Sequence, residues 1–142
     1  MHQETWAQRY CRHQRLTKSL IDTLRLIAKP HKLSSNDALL LLLCYDHATA
    51  ATESDSGTGL AQTAITRLSS MSPAAVSGNL ESLRKKELIE SDAVSKDRRK
   101  KSWCITSKGK SIAKKMSRLL SVIDDSAIED IANSETDRRE AA

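Results

Sequence analysis

The chain has 142 residues, with 23 Lys and Arg against 18 Asp and Glu and a formal net charge of +5. That length supports one domain with its own core. Its polar, charged opening (Gln3, Glu4, Arg9, Arg12, Arg15) does not read as a secretory signal, the apolar run at 38–44 is too short to span a bilayer, and three cysteines without paired spacing fit a reducing cytoplasm better than a disulfide scaffold.

Residues 4–29 read as one long helix. Trp6, Tyr10, His13, Thr17, Leu20, Leu24 and Ile27 recur at steps of four and three, which gives one largely apolar stripe. Leu16 and Ile21 add a second stripe, so this helix is expected to pack on something beyond its own domain core. Pro30 ends it. Ser34 or Ser35 caps a second helix, with Asp37 in its first turn, running through the leucines at 39–43 to about His47. Leucine around most of its circumference places it centrally. Residues 48–59 are small and polar, with Gly57 and Gly59, and read as a loop. Its segment 48–58 is expected to be disordered rather than to bind a partner.

Gly59 and Leu60 are a candidate short strand, and residues 62–69 a short helix with Ile65 and Leu68 inward. After a turn at Ser70 and Met71, Ser72 is a good N-cap and Pro73 a good first helical residue. Val76, Leu80 and Leu83 step along the buried face. Ala74, Ala75, Ser77, Gly78, Asn79 and Ser82 make a small, polar opposite face. Two short helices joined by a tight turn form a helix-turn-helix, with the second as the reader.

Residues 88–94 read as a strand, 95–101 as a hairpin loop and 102–106 as the return strand, with Trp103 and Ile105 inward. Thr106 caps a helix over 107–123 whose stripe is Ile112, Met116, Leu119 or Leu120, and Ile123. Asp124 and Asp125 interrupt it, Ile128 and Ile131 mark a short last helix, and the chain beyond Asn133 reads as frayed. Charge is uneven. Residues 84–118 hold 13 Lys and Arg against 4 Asp and Glu, and residues 119–142 hold 2 against 7. A cationic stretch over a hairpin is a polyanion-binding footprint. Its plainer counterpart is a solvated surface.

Several pieces then occur in a specific order: Ser72 and Pro73 before Val76, Leu80 and Leu83; Lys85, Lys86, Glu87, Leu88 and Ile89; Asp97, Arg98 and Arg99; and Ile105, Thr106, Ser107, Lys108 and Gly109. Over residues 61–114 this resembles the multiple-antibiotic-resistance regulator (MarR) family of winged-helix proteins, and the flanking helices fit it too. The resemblance implies a mainly α fold with a small β-hairpin wing, a winged helix-turn-helix dimerising through its N- and C-terminal helices. It divides the chain into a dimerisation helix at 1–32, a DNA-binding domain at 33–106, and C-terminal dimerisation helices with a frayed tail at 107–142.

The function implied is that of a cytoplasmic, sequence-specific double-stranded DNA-binding transcriptional regulator, a repressor rather than an activator. It would act as a homodimer, with residues 72–87 in the major groove and 95–101 in the minor groove. Arg99 would enter the minor groove, braced by Asp97, with Arg98, Lys100 and Lys101 at phosphates. Lys96 and, on the reading helix, Ser72, Pro73, Ala74, Ser77, Asn79, Ser82 and Arg84 complete the expected DNA contacts. A narrow minor groove concentrates negative potential and favours an inserted guanidinium. Exposed lysines add salt-dependent affinity rather than base choice. The chain departs from the family at Gly78, where many members carry a long polar residue. Close backbone approach to DNA would account for that glycine. The alternative is a winged-helix protein-interaction adaptor, or a shape-reading DNA-binding protein without a strong operator.

Other chemistry is not indicated. His2, His13, His31 and His47 form no close ligand pair, no cysteine pair has a zinc spacing, and no phosphate loop or nucleophile elbow is present. No metal, cofactor or enzyme activity is therefore expected. The resemblance leaves room for a small-molecule effector, yet there is no Phe, and only Trp6, Tyr10, Tyr45 and Trp103 supply aromatic surface. Cys11 lies among Arg9, Arg12, His13 and Arg15, a setting that activates thiols, and reads as a redox sensor or, preferably, as a small residue at a helix contact. Cys44 reads as core. Cys104 reads as turned away from Trp103 and Ile105, without a role.

Overall fold

The computed structural model describes residues 3–50, 59–91, 101–123 and 130. Helix α1 (Trp6–Ala28) begins at a capping box: the Thr5 hydroxyl accepts from the Gln8 amide at 3.2 Å, and the Gln8 side chain accepts from the Thr5 amide at 2.9 Å. Pro30 lies in a 3-10 turn (Lys29–His31) that ends the helix, and Lys32, in the left-handed region at φ 59°, redirects the chain. Ser34 then accepts from the Asp37 amide at 3.1 Å and starts α2 (Ser35–Ala50).

Helix α2 is the centre. Leu40, Leu41 and Ala38 are completely buried and Cys44 almost so. Helix α2 touches α1 and every later helix, and it also packs on the sheet. It extends past His47, where a loop was expected. The reason is packing: Ala48 rests against the core, and the Thr49 hydroxyl donates back to the Asp46 carbonyl at 3.0 Å. Small polar residues here are helix surface. The rest of the expected loop, 51–58, lies outside the described residues, as do strand residues 92–94, the hairpin tip 95–100, Ile128, Ile131 and the tail.

Strand β1 (Leu60–Ala61) leads directly into α3 (Gln62–Ser69), then α4 (Pro73–Lys85), β2 (Ile89–Ser91), β3 (Ser102–Ile105) and α5 (Ser107–Ser121). The sheet has three antiparallel strands in the order β1-β3-β2, with Leu60 opposite Trp103 and Ile89 opposite Ile105. The return strand of the hairpin is therefore its middle strand. Trp103 and Ile105 are buried, as the alternation requires. Leu68 differs from expectation. Ile65 and Ala64 reach the core, and Leu68, one turn on, lies past its edge and is exposed.

Among the described residues, only the last part of the α1 stripe is covered by the core. Leu24, Ile27 and Ala28 join the core, whereas Trp6, Tyr10 and Leu20 are exposed. In α5 the inward residues are Gly109, Ala113 and Met116, with Leu119 exposed and Leu120 half-buried. Ala28, Ala113 and Met116 join the same core as the central elements.

The junction between β2 and α5 is tight. Thr106 caps α5 by accepting from the Gly109 amide at 3.0 Å, and its hydroxyl donates to the Glu87 carbonyl at 2.7 Å. A Cβ on Gly109 would overlap the Leu88 carbonyl oxygen and come within 2.8 Å of Ile105 Cγ1. Glu87 sits in the left-handed region at φ 62°, which costs a non-glycine residue about 1–2 kcal/mol. Opposite outcomes follow for the two positions. Gly109→Ala should lower the unfolding free energy by about 1–3 kcal/mol through overpacking, and Glu87→Gly should raise it by roughly 1 kcal/mol, both read from denaturant midpoints.

Candidate nucleic-acid interface

The turn between α3 and α4 is set by Ser70, left-handed at φ 57°, and by Ser72, whose hydroxyl accepts from the Ala75 amide at 3.2 Å. Pro73 fills the first helical position, where its missing N–H costs nothing. Val76, Leu80 and Leu83 are fully buried and lock α4 to the core. The outer surface carries Ser72, Pro73, Ala74, Ser77 and Gly78, all exposed. This is the arrangement expected of a reading helix: one apolar face clamped, one small polar face in solvent.

The foot of the hairpin stands beside it. The Gln62 amide donates to the Lys101 carbonyl at 2.8 Å, and Trp103 Nε1 donates to Gln62 Oε1 at 3.1 Å. These bonds tie the start of α3 to β3. Lys101 is exposed and close enough to α4 that its charge, after those of Arg84 and Lys85, acts on the Glu81 carboxyl. The wing foot is thus tied by hydrogen bonds to the start of α3, the first helix of the helix-turn-helix. Lys96, Asp97, Arg98, Arg99 and Lys100 fall outside the described residues.

Three side chains on α4 are already engaged. Asn79 Nδ2 donates to the Ala75 carbonyl at 2.7 Å, so its amide lies along the helix. The Ser82 hydroxyl donates to Asp37 Oδ2 at 3.2 Å and faces α2. Arg84 Nε donates to both Glu81 oxygens at 3.0 and 3.1 Å. That hydrogen bond first, and charge second, hold the Glu81 carboxyl below its ordinary range. The pair is about half exposed, so a phosphate can compete for the guanidinium. Sequence reasoning missed Glu81 because a lone acid after Leu80 carries no periodic signal. Arg67, the single Lys or Arg in residues 33–83, is exposed in the last turn of α3.

Elsewhere, a groove of about 540 Å³ runs between the end of α2 and the start of α5, lined by Tyr45, Ala48, Thr49, Ser107, Lys110, Ser111 and Lys114. Tyr45 is its one aromatic ring. Among the described residues no cluster of His, Cys, Asp and Glu could hold a metal, and no helix is long and apolar enough to cross a membrane. Cys11 is exposed, so the helix contact preferred for it is not made within the described residues. Burial pushes the Cys44 thiol up to about 12, and the nearby Cys104 adds to the shift. Cys104 is half-buried between the buried Trp103 and Ile105, in keeping with the alternation of the strand.

No protein-family model matches the sequence, and no curated protein matches it. Solved structures share the fold. Wild-type MarR from E. coli, in its apo form, superposes with a TM-score of 0.65 at 15% identity, over 85% of this chain and 79% of that one. S. aureus MepR in complex with DNA gives 0.57 at 17% identity, over 88% and 87%. A MarR transcriptional regulator from Methanosarcina mazei Go1 gives 0.58 at 19% identity, over 89% of each chain. The chain has the winged-helix fold of these regulators.

Two expectations follow from the local geometry. A methyl group at Gly78 would meet nothing within 4 Å, so Gly78→Ala should stabilise the isolated protein by about 0.5–1 kcal/mol in a denaturant titration. The raised Cys44 thiol binds its proton more tightly folded than unfolded. Its contribution to stability is thus complete below pH 9 and declines as pH rises toward about 12. Stability curves of wild type and Cys44→Ala should diverge in slope only across that window.

Proposed function

We propose that this chain is a MarR-family transcriptional regulator that binds double-stranded DNA. The observation that carries the reading is the outer face of α4, small, polar and exposed, in a helix-turn-helix tied to the wing foot at Lys101, on a fold shared with a DNA-bound MepR. Ser72, Pro73, Ala74 and Ser77 meet the major groove. Asn79 and Arg84 join after leaving their intrahelical partners, and Ser82 acts from behind by holding the helix in place. From the hairpin tip Arg99 enters the minor groove, oriented by Asp97, while Lys96, Arg98, Lys100 and Lys101 meet phosphates.

The regulator works as a homodimer and represses by occluding its site, in the cytoplasm. The dimer reading is supported by apolar surface at both ends of the chain: Trp6 and Tyr10, stacked at 5.6 Å, with Leu20, Ile21, Leu26, Leu119 and Val122, all exposed. Exposed apolar residues in such number on two helices mark an association surface. Two-fold symmetry then calls for half-sites about 34 Å apart. Residues 1–32 and 107–142 supply the dimer contacts, and residues 33–106 the DNA-binding part.

Titration by fluorescence anisotropy against a duplex from upstream of the protein's own gene, beside a scrambled duplex, tests the reading. The upstream duplex should bind more tightly, with affinity falling steeply as salt rises. Arg99→Ala should weaken that binding by about 1–3 kcal/mol. Salt-independent behaviour, or an Arg99→Ala protein that binds like wild type, would transfer the weight to a protein-interaction adaptor. A sedimenting species of monomer mass at micromolar concentration would remove the dimer.

A further inference from the structure

Asp37 is an unusual residue for its position. It stands in the first turn of the central helix and is 4% exposed. Its Oδ2 accepts from the Ser82 hydroxyl at 3.2 Å and lies 3.6 Å from Lys86 Nζ, while Oδ1 is buried with no hydrogen-bond partner. A buried carboxylate with one oxygen unsatisfied opposes folding, and an apolar residue of similar volume serves a core at least as well. The first turn of α2 favours an acid, but burial with one oxygen unsatisfied offsets that gain, so stability alone is a weak reason for an acid here.

Its partners point to the reason. Ser82 and Lys86 lie on the last turn and C-cap of α4. Lys86 Nζ also donates to the Lys32 carbonyl at 2.9 Å, in the left-handed turn that joins α1 to α2. The C-terminal end of α4 is thus bolted by directional polar contacts to the start of α2. Among the described residues, the N-terminal half, which carries Ser72 to Gly78 outward, is held through the buried Val76 by apolar contact, which fixes depth but not rotation. A helix of 13 residues is about 20 Å long. A small turn at the bolted end is a large displacement at the reading end.

We infer that Asp37 is a positioning residue for the reading helix: through Ser82 and Lys86 it sets the orientation of α4 against α2, and hence the presentation of residues 72–78. The inference rests on the DNA-reading function proposed above. It separates from that proposal because the orientation of α4 can be measured without DNA.

The test uses full-length wild type, Asp37→Leu, Asp37→Asn and Ser82→Ala. Three readouts apply: thermal midpoint, hydrogen exchange of the α4 amides, and the ratio of affinities for the upstream and scrambled duplexes. Asp37→Leu should keep a thermal midpoint equal to or above wild type, lose protection in α4, and lose about ten-fold in duplex preference, or all of it where the wild-type ratio is smaller. Asp37→Asn keeps an acceptor for Ser82 and should fall between. Wild-type preference and wild-type α4 protection in Asp37→Leu would overturn the inference. So would losses across the series that merely track the thermal midpoint. If Asp37→Leu does not fold, Asp37→Asn and Ser82→Ala decide on the same readouts. A wild-type protein that binds neither duplex overturns the proposed function instead, and α4 exchange still decides whether Asp37 holds the helix.

Discussion

Burial of one broad face of α2 constrains the rest of the described structure: Asp37, Ala38, Leu40, Leu41 and Cys44 are buried, while Asn36, Asp46 and Thr49 stay in solvent. An apolar helix face of that width needs several elements to cover it. Helices α1, α3, α4 and α5 and strand β3 each take part of that surface. None of them can shift without exposing leucine. The position of α4, and with it the side chains offered to a partner, follows from which part of α2 it covers.

Within that frame, apolar and polar contacts divide the work. Val76, Leu80 and Leu83 bring α4 against the core, but methyl groups tolerate sliding and rotation. Directional contacts remove that freedom. They cluster where α4 ends: Ser82 and Lys86 on Asp37, Lys86 on the Lys32 carbonyl, Lys108 Nζ on the Lys86 carbonyl at 3.3 Å, and Thr106 on the Glu87 carbonyl. The strained backbone at Glu87 and the methyl-excluding contact at Gly109 belong to the same junction. Geometric cost thus gathers at this corner, with a further left-handed residue, Ser70, in the turn before α4.

The two faces of α1 show a different balance. Its C-terminal part is anchored in the core through Leu24, Ile27 and Ala28, while Trp6, Tyr10, Ile21 and Leu26 are exposed. A helix that is apolar beyond what the described residues cover is consistent with a second covering surface, and the end of α5 shows the same excess at Leu119 and Val122. The proposed dimer would cover both, and would carry two copies of α4 at a fixed separation.

Most of the fold was legible from the sequence, because it rests on local rules. Thr106 and Ser72 before helices, Pro73 inside one, Pro30 after another and the alternation of Trp103 and Ile105 each act within a few residues. The order of these signals also carried the family resemblance, and it placed the exposed face of α4. What the sequence alone could not decide were contacts between distant positions. Ser82 reads as a surface hydroxyl until Asp37, 45 residues away, is brought against it. Arg84 reads as a free cation until Glu81 takes its guanidinium. Helical continuation through Ala48 and exposure of Leu68 depend likewise on where the core ends. Period and capping are properties of a segment. Which surface a side chain meets is a property of the packed whole, and only the tertiary structure settles it.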